Sequence, residues 1–208
     1  MPESHREILE NETEMVIWKI TETETQLQNG LSLSPEALKR LSKRRSSIHR
    51  KGYLAIRQLL KSLGIPTEIH QYDDIGAPYL TDGRFISISH TGDAAAVVIS
   101  SISVGIDLEH YKDKIKGVAT RFLHASEGER PKDLDEIIYL TQLWTAKEAL
   151  YKLNKKPGLI FNEQLCIQPF KKEDTKGRGS VIEKSKQTHF PLEFRRFTNY
   201  CLTLATSN

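Results

Sequence analysis

Apolar positions along the chain recur with two different periods, and the switches between them outline the elements. Residues 14–20 (EMVIWKI) are rich in β-branched and aromatic types and predict an opening strand. Ser34-Pro35-Glu36 reads as a helix start: a capping serine, proline at the first helical position, then an acid near the positive end. Helix is expected from there to about Leu63, with an interruption near Ser46 and Ser47. Ile56, Leu59, Leu60 and Leu63 recur at helical spacing, and Gly64 with Pro66 stops the run. Short strands are predicted at 67–72, 84–90, 94–100 and 104–110, separated by Gly- and Asp-containing turns. Ser126 and Glu129 have capping-box spacing, but Pro131 moves the expected start of a second long helix to about Asp133. That helix runs to about Leu153, with Ile137, Ile138, Leu143, Trp144 and Leu150 as core candidates, and Lys155-Lys156-Pro157-Gly158 breaks it. Strand is expected again over 159–168 (LIFNEQLCIQ) and 199–206 (NYCLTLAT), with a polar loop at 171–180.

A helix followed by strands therefore occurs twice, with the division near residue 102. Helices segregated from antiparallel strands argue for an α+β class rather than a doubly wound sheet. The order of elements suggests duplication, although no convincing internal sequence repeat accompanies it. Hydrophobic residues make up 38% and charged residues 27%, the composition of an ordinary soluble globular protein. No apolar run approaches the length that spans a bilayer, and the polar, acidic N-terminus lacks the apolar core of a signal peptide. Cys166 and Cys201 stand far apart in no metal-ligand spacing, which suits a reduced cytoplasm better than a disulfide framework.

Charge changes the picture in one place. Between Arg40 and Lys61 there are eight Lys or Arg residues and no acid, which leaves 22 basic against 27 acidic residues elsewhere. A strongly cationic segment on a mildly acidic body marks a solvated helix face, a nucleic-acid patch or a site for a phosphate-bearing small molecule. Asp107 and Glu109 are two apart on a predicted strand, so their carboxylates share a face while Ile106 and Leu108 point the other way. Two such acids suit a hard cation such as Mg²⁺, which takes oxygen ligands and bridges to phosphates. The plainer reading is a strand end carrying solvated acids. Trp144, Glu148 and Lys152 fall on one helix face at i, i+4 and i+8, where the plainer reading is a surface ion pair. Ser89 and His90 close a strand, where they could contact phosphate oxygens or be structural. The sequence holds no P-loop, G-x-G-x-x-G, G-x-S-x-G or H-E-x-x-H pattern, which removes most nucleotide-dependent and hydrolytic alternatives.

Taken in order, GAPYL (76–80), SISHTGD (87–93), VGIDLEH (104–110), RFLHASE (121–127) and WTAKEALYK (144–152) resemble the 4′-phosphopantetheinyl transferase superfamily. The extended N-terminal half resembles the surfactin-synthetase-activating type, in which one chain carries two similar halves. The resemblance implies a pseudo-twofold pair of α+β halves, each a helix on a mainly antiparallel sheet. Residues 1–102 would carry a basic coenzyme A-binding helix and residues 103–208 the metal site. It implies Mg²⁺, with Mn²⁺ able to replace it, held by Asp107, Glu109 and Glu148 against the pyrophosphate of coenzyme A. Lys147, Lys152, Ser89 and His90 would contact the donor, Lys152 its phosphate, and Arg44, Arg45 and Arg50 are candidates for its 3′-phosphate. Glu127 falls where the family often has another acid near the metal.

The implied reaction moves phosphopantetheine from coenzyme A to a serine of an acidic acyl or peptidyl carrier protein. Glu148 or a metal-bound water would take the serine proton. A cytoplasmic monomer, with no membrane or nucleic-acid partner, is the matching expectation. Departures from the family pattern are Ala77 where lysine is common, Ile48 or its neighbours where a phosphate-binding arginine is common, and LNKKPGL (153–159) in place of a glycine-rich turn. Two rival readings belong to other classes: a nucleic-acid-binding module using helix 40–61, and a catalytically silent module that binds carrier proteins.

Overall fold

The computed structural model describes residues 3–184 and 186–207. The chain forms two compact units, Met1–Ile102 and Ser103–Asn208. Both are α+β, with antiparallel sheets and helices packed on them.

The first unit opens with a hairpin of β1 (Glu3–Leu9) and β2 (Thr13–Lys19). Its tight turn puts Asn11 and Glu12 at φ 55° and 51°, the left-handed pair that matches strand twist. After a short α1 (Glu24–Gln28) come α2 (Pro35–Ser42) and α3 (Ser47–Ser62). The expected interruption is real, because Ser46 caps α3 by accepting from the His49 amide at 3.3 Å. The unit continues through β3 (His70–Tyr72), β4 (Pro78–Leu80), β5 (Phe85–Thr91) and β6 (Ala94–Ser100). The strands of its main sheet run in the order β1-β2-β6-β5, and β3 with β4 forms a separate hairpin. Leu54, Leu59 and Leu60 of α3 pack on Val16, Trp18, Ile86 and Val97 of the sheet. Each such buried side chain stabilises by roughly 1.5–3 kcal/mol.

The second unit starts with β7 (Val104–His110), followed by 3₁₀ segments at Asp113–Arg121 and Ala125–Glu127. Helix α4 (Glu136–Asn154) follows, then α5 (Phe161–Gln164) and β8 (Leu165–Ile167). The strands β9 (Lys176–Glu183), β10 (Lys186–Arg196) and β11 (Tyr200–Thr206) complete an antiparallel sheet in the order β7-β11-β10-β9-β8. Asp135 caps α4 by accepting from the Ile137 and Ile138 amides, and Lys155 ends it at φ 50°. The core gathers Leu143, Ala146, Leu150 and Leu153 of α4 with Phe122, Leu165, Ile167, Phe170, Leu192 and Phe194.

Several local expectations differ from the structure. The strand at 67–72 shortens to His70–Tyr72. The 159–168 segment turns through α5 before β8, and residues 176–180 of the expected loop belong to β9. The capping box is formed by His124 and Glu127 rather than Ser126 and Glu129. No helix among the described residues is long and apolar enough to cross a membrane. Both cysteines are free.

Candidate active site

The geometry of the C-terminal unit turns on one glycine. A Cβ on Gly105 would lie 2.0 Å from the Ala149 carbonyl oxygen and 2.7 Å from the Leu153 nitrogen, so its absence lets α4 lie directly on β7. Gly105, Asp107 and Glu109 alternate onto the same face of β7, the face that α4 covers. Glu148 and Lys152, one turn apart, flank Ala149 and so come alongside these acids. Ile106 and Leu108, on the other face of the strand, are fully buried.

The contacts follow from this packing. Lys152 Nζ lies 2.7 Å from Asp107 Oδ1 and donates to the Ile106 carbonyl at 3.0 Å. Asp107 is 6% exposed and so is largely removed from water. The Glu148 carboxyl is pushed up to about 7, first by burial and then by the charges of Asp107 and Glu109, with Lys152 opposing. Two groups that disfavour a third negative charge and one cation among them make a site whose charge is unbalanced in the free protein.

The register of α4 on its sheet is held by a polar patch. Thr203 stands opposite Asp107 on β11 and takes a hydrogen bond from Gln142 Nε2 at 2.7 Å, with Thr145 Oγ1 2.8 Å away. Beside Glu109, a cavity of about 220 Å³ is walled by Ile115, Val118, Thr141 and Trp144. Trp144 is fixed there by edge contact with Phe122, ring centroids 5.3 Å apart, and by Phe161 at 5.6 Å.

Lys147 is placed differently from its neighbour. Its side chain is 0% exposed, and Nζ lies 2.7 Å from Glu127 Oε2, itself buried. The ammonium also donates to the carbonyls of Phe122, Phe161 and Leu165 at 2.6, 3.1 and 2.7 Å. Burial pushes its pKa down while Glu127 pulls it up. Glu127 in turn accepts from the His124 and Ile167 amides at 2.8 and 2.7 Å. As folded, neither Lys147 nor Glu127 can touch an external ligand. They form an internal tie that joins α4 to the 122–127 and 161–167 segments.

In the N-terminal unit, His90 of β5 packs against α3, where a Cβ on Gly52 would meet its ring at 2.9 Å. The His49 ring is 6.1 Å away, and Ser89 is buried. Of the three arginines, Arg50 is ion-paired with Glu24 at 2.8 Å and donates to the Arg44 and Arg45 carbonyls. Arg44 stacks over the Tyr53 ring at 4.2 Å and donates to the Arg40 carbonyl. Arg45 alone of the three is exposed. Ala77 lies in the β3–β4 turn, its amide donating to Asp73 Oδ1 at 2.8 Å.

The structure thus brings Asp107, Glu109, Glu148 and Lys152 near one another in one unit, and packs His90 of β5 against α3 in the other. The role of Gly105 and the Glu127–Lys147 tie were not read from the sequence. A lone glycine inside a strand pattern was the available signal for the first. Nothing local signals the second.

Among the described residues, no three His, Cys, Asp or Glu side chains lie close enough to hold a metal ion as they stand. The donor chemistry nonetheless fits a hard divalent cation: Asp107, Glu109 and Glu148 offer carboxylate oxygens only, and the charges of Asp107 and Glu109 add to burial in raising Glu148.

Comparison with known proteins adds to this geometry. Residues 103–205 match the family model of the 4′-phosphopantetheinyl transferase superfamily. A Bacillus pumilus protein described as 4′-phosphopantetheinyl transferase psf-1 is 30% identical over 114 residues, covering 50% of this chain and 48% of its own length. The chain therefore spans about half the length of this curated relative.

Proposed function

Through residues 103–205 the chain belongs to the 4′-phosphopantetheinyl transferase superfamily, and from that premise we propose a function for the whole protein. It moves the 4′-phosphopantetheine group of coenzyme A onto a serine of an acyl or peptidyl carrier protein. The observation that carries this reading is the meeting of Asp107, Glu109, Glu148 and Lys152 where α4 crosses β7. A nucleic-acid module gives no reason for neighbouring carboxylates beside a lysine at this crossing, which favours the transferase reading.

In this reading Asp107, Glu109 and Glu148 would hold Mg²⁺, and the ion would supply charge neutralisation for the pyrophosphate of the donor. Lys152 leaves Asp107 to meet a phosphate oxygen, a short movement for a flexible ammonium whose side chain is partly exposed. The carrier serine Oγ attacks the phosphorus bearing pantetheine. The bond from that phosphorus to the bridging anhydride oxygen breaks, and adenosine 3′,5′-bisphosphate leaves. Glu148 would take the serine proton, with water as the alternative acceptor. Positioning and electrostatic stabilisation supply most of the acceleration, as in phosphoryl transfer generally.

The cavity beside Trp144 offers an apolar wall for the pantetheine arm. For the donor phosphates, the N-terminal unit offers His90 and the exposed Arg45 as candidates. Lys147 is reassigned from donor contact to internal support, because its ammonium is already enclosed. Two related halves acting in one monomer is the matching architecture, supported by the long helix packed on an antiparallel sheet in each unit. An acidic carrier helix suits the basic segment 40–61.

The test is incubation with coenzyme A, Mg²⁺ and apo carrier protein, followed by mass spectrometry of the carrier. A gain of one phosphopantetheine mass is expected, lost in excess chelator and regained with Mg²⁺ or Mn²⁺. No gain with carriers from fatty-acid, polyketide and peptide synthesis would overturn the reading. Transfer that persists in chelator would remove the metal from it.

A further inference from the structure

A second candidate site lies within the N-terminal unit and uses residues other than His90 and Arg45. A cavity of about 590 Å³ opens between the first turn of α2, the C-terminal half of α3 and β3. That volume is within the range of small-molecule sites. Leu31, Leu33, Leu60 and Ile65 form an apolar wall, and Arg57 with His70 supplies polar groups.

Arg57 is 5% exposed, yet its partners are neutral. Nη2 donates to the Tyr53 and Tyr72 hydroxyls at 2.7 and 3.3 Å, and Nη1 faces His70 Nδ1 at 3.3 Å. None of the ion pairs formed by the described residues includes Arg57. A buried guanidinium without a counter-ion is costly, and the cost falls when an anion arrives. Because a guanidinium can only donate, His70 Nδ1 must accept and the imidazole proton sits on Nε2. That Nε2 is buried and has no hydrogen-bond partner among the described residues. The two residues that carry this unused donor and this uncompensated cation line one cavity.

The remaining charges select the ligand. Arg40 also lines the cavity, but it is already paired with Glu36 at 3.0 Å and stacked on the Tyr72 ring at 4.1 Å. Lys61 also lines the cavity and donates to the Gly30 carbonyl at 2.7 Å; the exposed Glu36 and Glu68 offset the charges of Arg40 and Lys61, which leaves Arg57 as the one uncompensated cation. What fits is a single negative charge on an apolar body. We propose that this cavity binds a small aliphatic monocarboxylate, its carboxylate on Arg57 and His70 and its chain along the leucine wall.

The experiment is titration of the full-length protein with octanoate, followed by calorimetry and by the imidazole Nε2–H resonance of His70. Saturable binding that shifts this resonance is expected, with inorganic phosphate and coenzyme A leaving it unmoved. Arg57→Gln should weaken octanoate binding at least about tenfold, since a charge-assisted contact is lost. Because Arg57→Gln removes a buried group, Leu31→Trp serves as a second variant. It fills the apolar wall from a half-buried position and should abolish octanoate binding while the protein remains folded by circular dichroism. Absence of saturable binding by the wild type up to about 10 mM octanoate, the weak end of specific affinity, would overturn the proposal. So would binding that Leu31→Trp leaves unchanged, or a site that prefers phosphate to octanoate.

Discussion

Replacing Lys147 by methionine tests whether this lysine is an internal tie or a donor contact. Methionine keeps most of the length and apolar volume, so the change removes little but the ammonium. The structure assigns that ammonium a buried carboxylate and three backbone carbonyls, all within 3.1 Å. Without it, Glu127 is left as a buried carboxylate held only by the His124 and Ile167 amides. Breaking a buried pair from one side costs about 3–5 kcal/mol, because the surviving charge is uncompensated. For a protein of this size, a loss of that order lowers the thermal midpoint by roughly 6–20 °C.

Urea and thermal unfolding of Lys147→Met, Glu127→Gln and the double variant measure both the cost and the coupling. The double variant should cost clearly less than the two singles added, with a coupling of about 2 kcal/mol or more. Coenzyme A affinity of the folded Lys147→Met protein should stay within about twofold, since the side chain never reaches the donor. A variant that unfolds like wild type but binds coenzyme A poorly would refute this reasoning and restore Lys147 to the donor site. Strict additivity of the two single variants would refute the tie.

Glu148→Gln should reduce turnover by roughly 10²–10⁴-fold, the contribution typical of a positioned base, as read by carrier mass gain over time. The same substitution should stabilise the metal-free protein by about 1–3 kcal/mol at pH 8 and by almost nothing at pH 4. A carboxyl raised from 4.5 to about 7 loses native-state stability as pH climbs through that window, and glutamine removes the loss; melting in chelator at both pH values checks the sign. Gly105→Ala should destabilise by several kcal/mol, on the order of 3 or more, because the added methyl meets α4 backbone rather than a side chain that can turn aside. Arg45→Glu should raise the Michaelis constant for coenzyme A several-fold and leave the melting point unchanged, whereas Arg50→Glu should lower the melting point through its contact with Glu24.

Sequence reading succeeded where a signal was local. The capping serine and proline before α2, the Gly64–Pro66 stop and the break after Leu153 each depend on residues a few positions apart, and α2, α3 and α4 lie where those signals put them. The α+β class and the transferase superfamily were legible for a related reason: ordered elements and spaced motifs survive without tertiary contacts. Strands β9 and β10 were missed because they hold many charged residues and take their strand character from pairing with each other and with β11. The capping box was misplaced by two residues because a histidine ring, accepting the Ser126 amide, did the work expected of a serine.

The least legible feature is also the one that explains the motif WTAKEALYK most fully. Lys147 and Glu148 are adjacent, and successive residues on an α-helix point about 100° apart, since a full turn takes 3.6 residues. With Gly105 seating α4 on β7, the Glu148–Lys152 side of the helix is committed to the acids of that strand. Lys147 is then forced towards the 122–127 and 161–167 segments, where water is excluded and only a carboxylate with several carbonyls can hold an ammonium. A solvated lysine there would require those segments to lift away, and Trp144 with them, since its ring rests on Phe122 and Phe161. One turn of helix therefore sets both the site and the wall beside it. The lysine and the glutamate of the motif are close in sequence because their two tasks lie on neighbouring faces of one helix, and periodicity alone assigns no task to either face.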